Sequence, residues 1–152
     1  MNQRERDSAL NSAVGALRRR ERTSAELHSW LSERGIDEEL VEDVIAELIE
    51  IGELDDERFA FAYAEDKRAL SGWGAERIEA ALVDRGLGRS LAERAAGEPR
   101  DAQLERAVTL LETRGADLAD EAERSRALSF LTRRGYEYEL AYDAIRQRER
   151  AA

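Results

Sequence analysis

The chain has 152 residues, 42% of them hydrophobic and 38% charged, with a net charge of −10 and no cysteine. Apolar residues this dilute favour several small cores in series over one deep core, and without thiols there is neither a disulfide framework nor a thiolate metal site. No apolar run approaches the ~20 residues of a membrane span, and the opening MNQRERDSAL lacks the apolar segment of a signal peptide. A soluble, cytoplasmic protein is the expectation.

The first 23 residues hold six Arg against three acids. Leu10, Ala13, Val14 and Leu17 recur there at helical spacing, and the run Arg18 to Arg22 closes the segment as a basic arm. Thr23, Ser24, Ala25 and Glu26 then form a capping box, in which the hydroxyl accepts from a free N–H and the carboxylate reaches back. This opens a second helix with Leu27, Trp30 and Leu31 inward. Asp37 is placed to cap a third, whose apolar face is Leu40, Val41, Val44, Ile45 and Leu48. Residues 24–70 hold fifteen acids against four bases, which suits a partner protein with a basic surface better than free nucleic acid.

In GELDDERFA, Gly52 stops the third helix, Asp55 caps the fourth, and Leu54 and Phe59 stand at the spacing of a hydrophobic staple. The fourth helix continues through Ala62, Tyr63 and Leu70, and SGWGAER, with Gly72 and Gly74, reads as a turn. Ile78, Ala81 and Leu82 mark the fifth helix; Leu91, Ala92 and Ala95 mark a short sixth, opened by a capping box from Ser90 to Glu93. Leu104, Ala107, Val108 and Leu111 form the seventh, Ala127, Leu128 and Leu131 the eighth with Asp120 as its cap, and Leu140, Ala141, Ala144 and Ile145 the ninth. With a single proline and a dominance of Ala, Leu, Glu and Arg, the chain is predicted to be all-α with nine helices.

Three heptapeptides share one form, apolar–Leu–x–x–Arg–Gly–apolar: WLSERGI at 30–36, ALVDRGL at 81–87 and FLTRRGY at 130–136. In each, the Leu is the last inward residue of a helix. Gly35, Gly86 and Gly135 then take the left-handed conformation that ends a helix, and the apolar residue that follows packs back. Three such stops in register predict three tandem three-helix repeats, 1–52 with the basic arm, 53–98 and 99–152, stacked as an elongated array.

Sites of chemistry are scarce. Asp55, Asp56 and Glu57 could ligate a metal or act as an acid–base pair, yet cap and first-turn charge account for each of them. His28 is the only histidine and falls on a helix surface. No phosphate loop or nucleophile elbow occurs in the sequence, so the expectation is a protein without catalysis, metal or cofactor. A recognition helix would need Arg, Lys, Asn or Gln toward the major groove. Residues 37–51 offer seven acids and no base, while the last helix, with Arg146, Arg148 and Arg150, is better suited. A helix–turn–helix protein that binds nucleic acid by itself is therefore the second reading.

In order along the chain, Arg22, Thr23, Glu26 and Leu27; Leu31, Arg34 and Gly35; Gly52, Leu54, Asp55, Asp56, Phe59 and Ala60; and Gly72, Gly74 and Ile78 form a pattern. It resembles that of the RecX regulatory proteins, over about residues 9–147 with FLTRRGY as a looser third block. The resemblance implies tandem three-helix repeats and a non-enzymatic regulator of the RecA recombinase in DNA repair and the SOS response. Such a protein lies in the groove of the RecA–DNA filament and restrains its growth, ATP hydrolysis, strand exchange and coprotease activity. A monomer is implied, with RecA as partner, weak contact to DNA within the filament and no membrane. Ala75 stands where the family often has proline, and residues 62–86 carry five acids against four bases, which argues against DNA contact by the middle repeat. The candidate contact residues are Arg18, Arg19, Arg20 and Arg22, then Lys67, Arg68 and Trp73, then Arg133 and Arg134.

Overall fold

The computed structural model describes residues 2–115 and 117–151, and every regular element among them is helical. In chain order these are α1 (Gln3–Arg19), α2 (Ser24–Glu33), α3 (Glu38–Glu50), α4 (Asp56–Asp66), α5 (Ala75–Asp84), α6 (Arg89–Ala96), α7 (Arg100–Arg114), α8 (Glu121–Arg133) and α9 (Tyr138–Ala151). They correspond to the nine predicted blocks. The addition is a π turn, Lys67–Ser71, that continues α4 and ends at Gly72, whose φ is +66°.

Apolar faces at helical spacing close three separate cores. Leu27, Leu31, Val41, Val44 and Leu48 fill the first, Phe59, Ala60, Ile78, Leu82 and Ala92 the second, and Leu111, Leu131, Tyr136, Leu140 and Ala141 the third. The principal helix packing stays within α1–α3, α4–α6 and α7–α9. Each fully buried leucine contributes roughly 1.5–3 kcal/mol, and each core has only a few, so the repeats are small. Leu54 buries in the first core and Phe59 in the second. The pair expected to staple one helix start thus divides across the boundary between repeats.

The heptapeptide stops form as expected. Gly35, Gly86 and Gly135 have φ of +81°, +91° and +101°. Leu87 N–H donates to Leu82 O and Tyr136 N–H to Leu131 O, both at 3.2 Å, which satisfies carbonyls that the helix leaves free. In every repeat the next helix is capped two residues after the glycine, where the carbonyls of Asp37, Gly88 and Glu137 accept from Val41, Ala92 and Ala141. That common register corrects one expected cap. Ser90 lies inside the first turn of α6, behind its N-cap Gly88, and makes no capping bond. Asp37 and Asp120 are N-caps by position, but their side chains accept no capping hydrogen bond. The box of Thr23 and Glu26 is complete, and Asp55 accepts from Arg58 N–H at 2.9 Å.

Candidate interaction surface

A helix start carries free N–H groups and a helix stop carries free carbonyls. In this chain they meet across repeats. At the start of α5, Gly74 N–H donates to Arg134 O at 2.7 Å and Glu76 N–H to Gly135 O at 3.1 Å, so this start sits on the stop of α8. The approach leaves no room for side chains. A Cβ on Gly74 would lie 2.6 Å from the Gly135 carbonyl carbon, and one on Gly135 would lie 2.5 Å from the Arg77 backbone nitrogen. Tyr136, almost fully buried, donates its hydroxyl to Gly72 O at 2.9 Å, and Arg134 donates to Ser71 O at 3.0 Å. Burial pushes the Tyr136 hydroxyl above its ordinary pKa, so it stays a donor.

The start of α2 meets the stop of α5 in the same way. Thr23, fully buried, donates its hydroxyl to Arg85 O at 2.7 Å while accepting from Glu26 N–H at 3.1 Å. Arg85 grips Glu26 with two bonds of 2.7 and 2.9 Å and lies 4.7 Å over the Phe59 ring. Ser24 N–H donates to Asp56 Oδ1 at 2.8 Å. Gly86 lies against α2, where a Cβ would come within 2.5 Å of Ala25 Cβ. The two joints put α8, α5 and α2 in a stop-to-start succession, the favourable order for helix dipoles.

The charged surface is organised around aromatic rings. Arg34 lies 3.9 Å over Trp30, with Arg22 at 5.5 Å and Arg19 at 5.7 Å. Lys67 and Arg77 flank Trp73 at 4.7 and 4.1 Å, and Arg134 and Arg114 flank Phe130 at 4.5 and 5.0 Å. Each such pair is worth about 0.5–1 kcal/mol where exposed. Desolvation, with a smaller contribution from the neighbouring Arg20 and Arg19, lowers the Arg22 pKa from its ordinary value. Leu70, 84% exposed, edges a cleft of about 320 Å³ that Tyr63, Lys67 and Arg85 also line.

Of the candidate contact residues, Arg19 and Arg22 converge on Trp30, Arg18 lines an adjoining cleft with Arg58, and Lys67 meets Trp73. Arg20 and Arg133 are exposed. Arg68 turns inward, donating to the Ala95 and Ala96 carbonyls at 2.9 Å, and Arg134 is engaged in the joint to Ser71. Arg34, Arg77 and Arg85 are not among the sequence candidates, although Arg34 and Arg85 each stand immediately before a stop glycine of the repeated heptapeptide. His28 Nε2 is 2.8 Å from Glu38, and with Glu42 these groups have ligand atoms within 4.8 Å of one another, all on an open surface.

The sequence patterns of known families decide the lineage. A family description, "RecX, first three-helix domain", matches residues 9–48, and "RecX, second three-helix domain" matches residues 55–95. The chain belongs to the RecX family. It is 37% identical over 146 residues to the regulatory protein RecX of Deinococcus radiodurans, covering 94% of this chain and 69% of that protein. To the regulatory protein RecX of Mycobacterium sp. (strain JLS) it is 35% identical over 141 residues, covering 85% and 75%. The crystal structure of RecX from Lactobacillus salivarius has the same fold, with a TM-score of 0.87 at 23% identity, covering 97% of this chain and 99% of that one.

Several residues of the RecX pattern, Thr23, Glu26, Asp56, Gly72 and Gly74, are joint residues in this chain. The first joint is also acid-sensitive. Burial by itself raises the Glu26 pKa, but the bonds from Arg85 and from Thr23 N–H outweigh it and hold the carboxyl below its ordinary value of 4.5. A group depressed in the folded state stabilises above its unfolded pKa and loses that contribution as pH falls through the folded one. Acidification below about pH 4.5 is therefore expected to loosen the joint. Amide protection at the start of α2, relative to the intrinsic exchange rate at each pH, should fall in that window, and Glu26→Gln should flatten the response. An identical pH profile in the variant would remove Glu26 as the cause.

Proposed function

We propose that this RecX-family chain binds RecA–DNA filaments in their groove and restrains filament extension, ATP hydrolysis, strand exchange and SOS coprotease activity. The observation that carries this reading is the recurrence of a cation-flanked aromatic on each repeat, at Trp30, Trp73 and Phe130. Three such patches in series suit a partner that is itself a repeating array, since linked weak contacts gain strength through high effective concentration. The acidic α3 and the basic arm offer charge of both signs to neighbouring protein surfaces. DNA inside the filament is at most a secondary contact, and the setting of this activity is recombinational repair in the cytoplasm.

RecA ATPase on single-stranded DNA, titrated with the protein, tests the proposal, with inhibition as the expected result. Reversing Arg18, Arg19 and Arg20 to Glu should weaken inhibition about tenfold or more, since three charge contacts of ~0.5–1 kcal/mol are inverted. Arg18 and Arg19 favour the end of the α1 dipole and Arg19 touches Trp30, all at an exposed surface, so the thermal midpoint should fall by only a few degrees while the protein stays folded. Unchanged inhibition would take the arm out of the mechanism. Equal affinity for DNA with and without RecA would instead establish the independent nucleic-acid-binding reading.

A further inference from the structure

The two joints follow one rule, and the rule leaves one stop without a partner. The stop of α8 receives the start of α5, and the stop of α5 receives the start of α2. The stop of α2 receives nothing among the described residues. A Cβ on Gly86 or Gly135 would collide with the preceding repeat, whereas one on Gly35 meets nothing within 4 Å among the described residues. The open stop borders a cleft of about 590 Å³, walled by Arg34, Gly35, Ile36 and Asp37 with Arg4 and Ser8 of α1. At the far end of the succession, the start of α8 is equally open: Asp120, Glu121 and Ala122 are exposed, and the Asp120 side chain makes no capping bond.

We propose that this cleft is a docking site for the start of α8 of a second copy of the same chain. The occupied joint between α2 and α5 supplies the template. There Ala25 sits over Gly86 and Glu26 pairs with Arg85. Ala122 and Glu123 hold the same second and third positions of α8 that Ala25 and Glu26 hold in α2. Arg34 and Gly35 hold the places of Arg85 and Gly86 in the repeated heptapeptide. Arg34 stacks on Trp30 and has no carboxylate partner among the described residues, while Glu123 is held only by the exposed Arg126 on its own helix. Arg85 stacks and pairs at once, so stacking leaves the edge of Arg34 free for Glu123.

Such a contact is head-to-tail: the surface used on one copy differs from that used on the next. Heterologous contacts that do not close on themselves give open chains of copies. A few hydrogen bonds and one ion pair bind weakly in free solution, at a Kd of about 1 mM, and strongly only where copies are already aligned. The family resemblance implies a monomer; the geometry adds an end-to-end association of such monomers. The inference stands apart from the RecA reading, because its test contains no RecA.

Sedimentation equilibrium of the full chain up to about 1 mM provides that test. The average mass of the wild-type protein should rise about twofold over this range without levelling at a dimer. Arg34→Glu alone sets acid against acid at the contact, and Glu123→Arg alone sets base against base, so each should stay at the monomer mass. In an equimolar mixture of R34E and E123R, every contact between unlike copies again brings an acid against a base. The mixture should therefore regain the rise. A wild-type mass that stays constant, a plateau at the dimer, or association indifferent to both variants would each overturn the proposal.

Discussion

Gly135→Val is expected to destabilise the protein by about 3 kcal/mol, read as a lower urea midpoint. Two costs combine. Gly135 has φ of +101°, a region that L residues occupy at a cost of roughly 1–2 kcal/mol. Any side chain there also meets the Arg77 backbone nitrogen at 2.5 Å, so the start of α5 must move off the stop of α8, and overpacking of this kind costs about 1–3 kcal/mol. The loss should fall on cooperativity too, because tandem units are coupled through their interfaces. The third repeat should unfold separately from the second, as a second transition or a smaller denaturant slope. Gly35→Val supplies the comparison. Its φ is +81° and a Cβ there would meet nothing within 4 Å among the described residues, so it carries only the conformational cost. Equal losses at the two positions would show that the joint contributes nothing.

Glu98→Gln is expected to be of similar size and to act through charge rather than shape. The Glu98 side chain is 12% exposed and takes two bonds from Arg106, at 2.6 and 2.7 Å, with Arg68 Nε at 3.6 Å. Arg68 at the same time holds the carbonyls at the end of α6. The hydrogen bonds it donates to Glu98 keep the Arg106 guanidinium well above its ordinary pKa, against the opposing effect of burial. Glutamine keeps the volume and removes the charge, leaving two guanidinium groups that are only 20% and 22% exposed without a counter-ion. Breaking a buried pair from one side costs about 3 kcal/mol, which lowers Tm by about 6–12 °C in a chain of this size. Arg68→Met in the Glu98→Gln background should recover part of the loss by removing one unmatched charge. A variant that melts within a degree of the wild type would mean that solvent already screens the trio.

The two expectations concern the same boundary, between the second and third repeats, from opposite sides. Glu98 lies in the short connection between α6 and α7, and Gly135 lies at the stop of α8. Neither belongs to a hydrophobic core. The repeats are held together by backbone groups at helix ends and by partly buried charge, while leucines and alanines hold each repeat to itself. This division explains why particular glycines, the threonine and an aspartate stand in the family pattern. Gly74 is needed for the approach of one backbone to another, Thr23 donates across a joint, and Asp56 receives Ser24 N–H from the preceding repeat.

The amino-acid sequence by itself determined the nine helices, their apolar faces, the three glycine stops and the repeat count. Those features arise from groups within about one helical turn of each other, so spacing and residue type suffice to express them. It also carried the family pattern, which the comparison with known proteins bears out. It read Gly74 as a turn residue, Asp56 as first-turn charge and Arg68 and Arg134 as candidate contacts, and could not express their places in the joints, because their partners lie far along the chain. Arg134 reaches Ser71 across 63 positions, Tyr136 reaches Gly72 across 64, and Thr23 reaches Arg85 across 62. Nothing local marks such pairs. They exist only once the repeats are placed end to end, when the free carbonyls of one helix stop come within reach of the free donors of another helix start. Tertiary structure thus decided that residues read from the sequence as turns, caps and candidate contacts are the joints of the array.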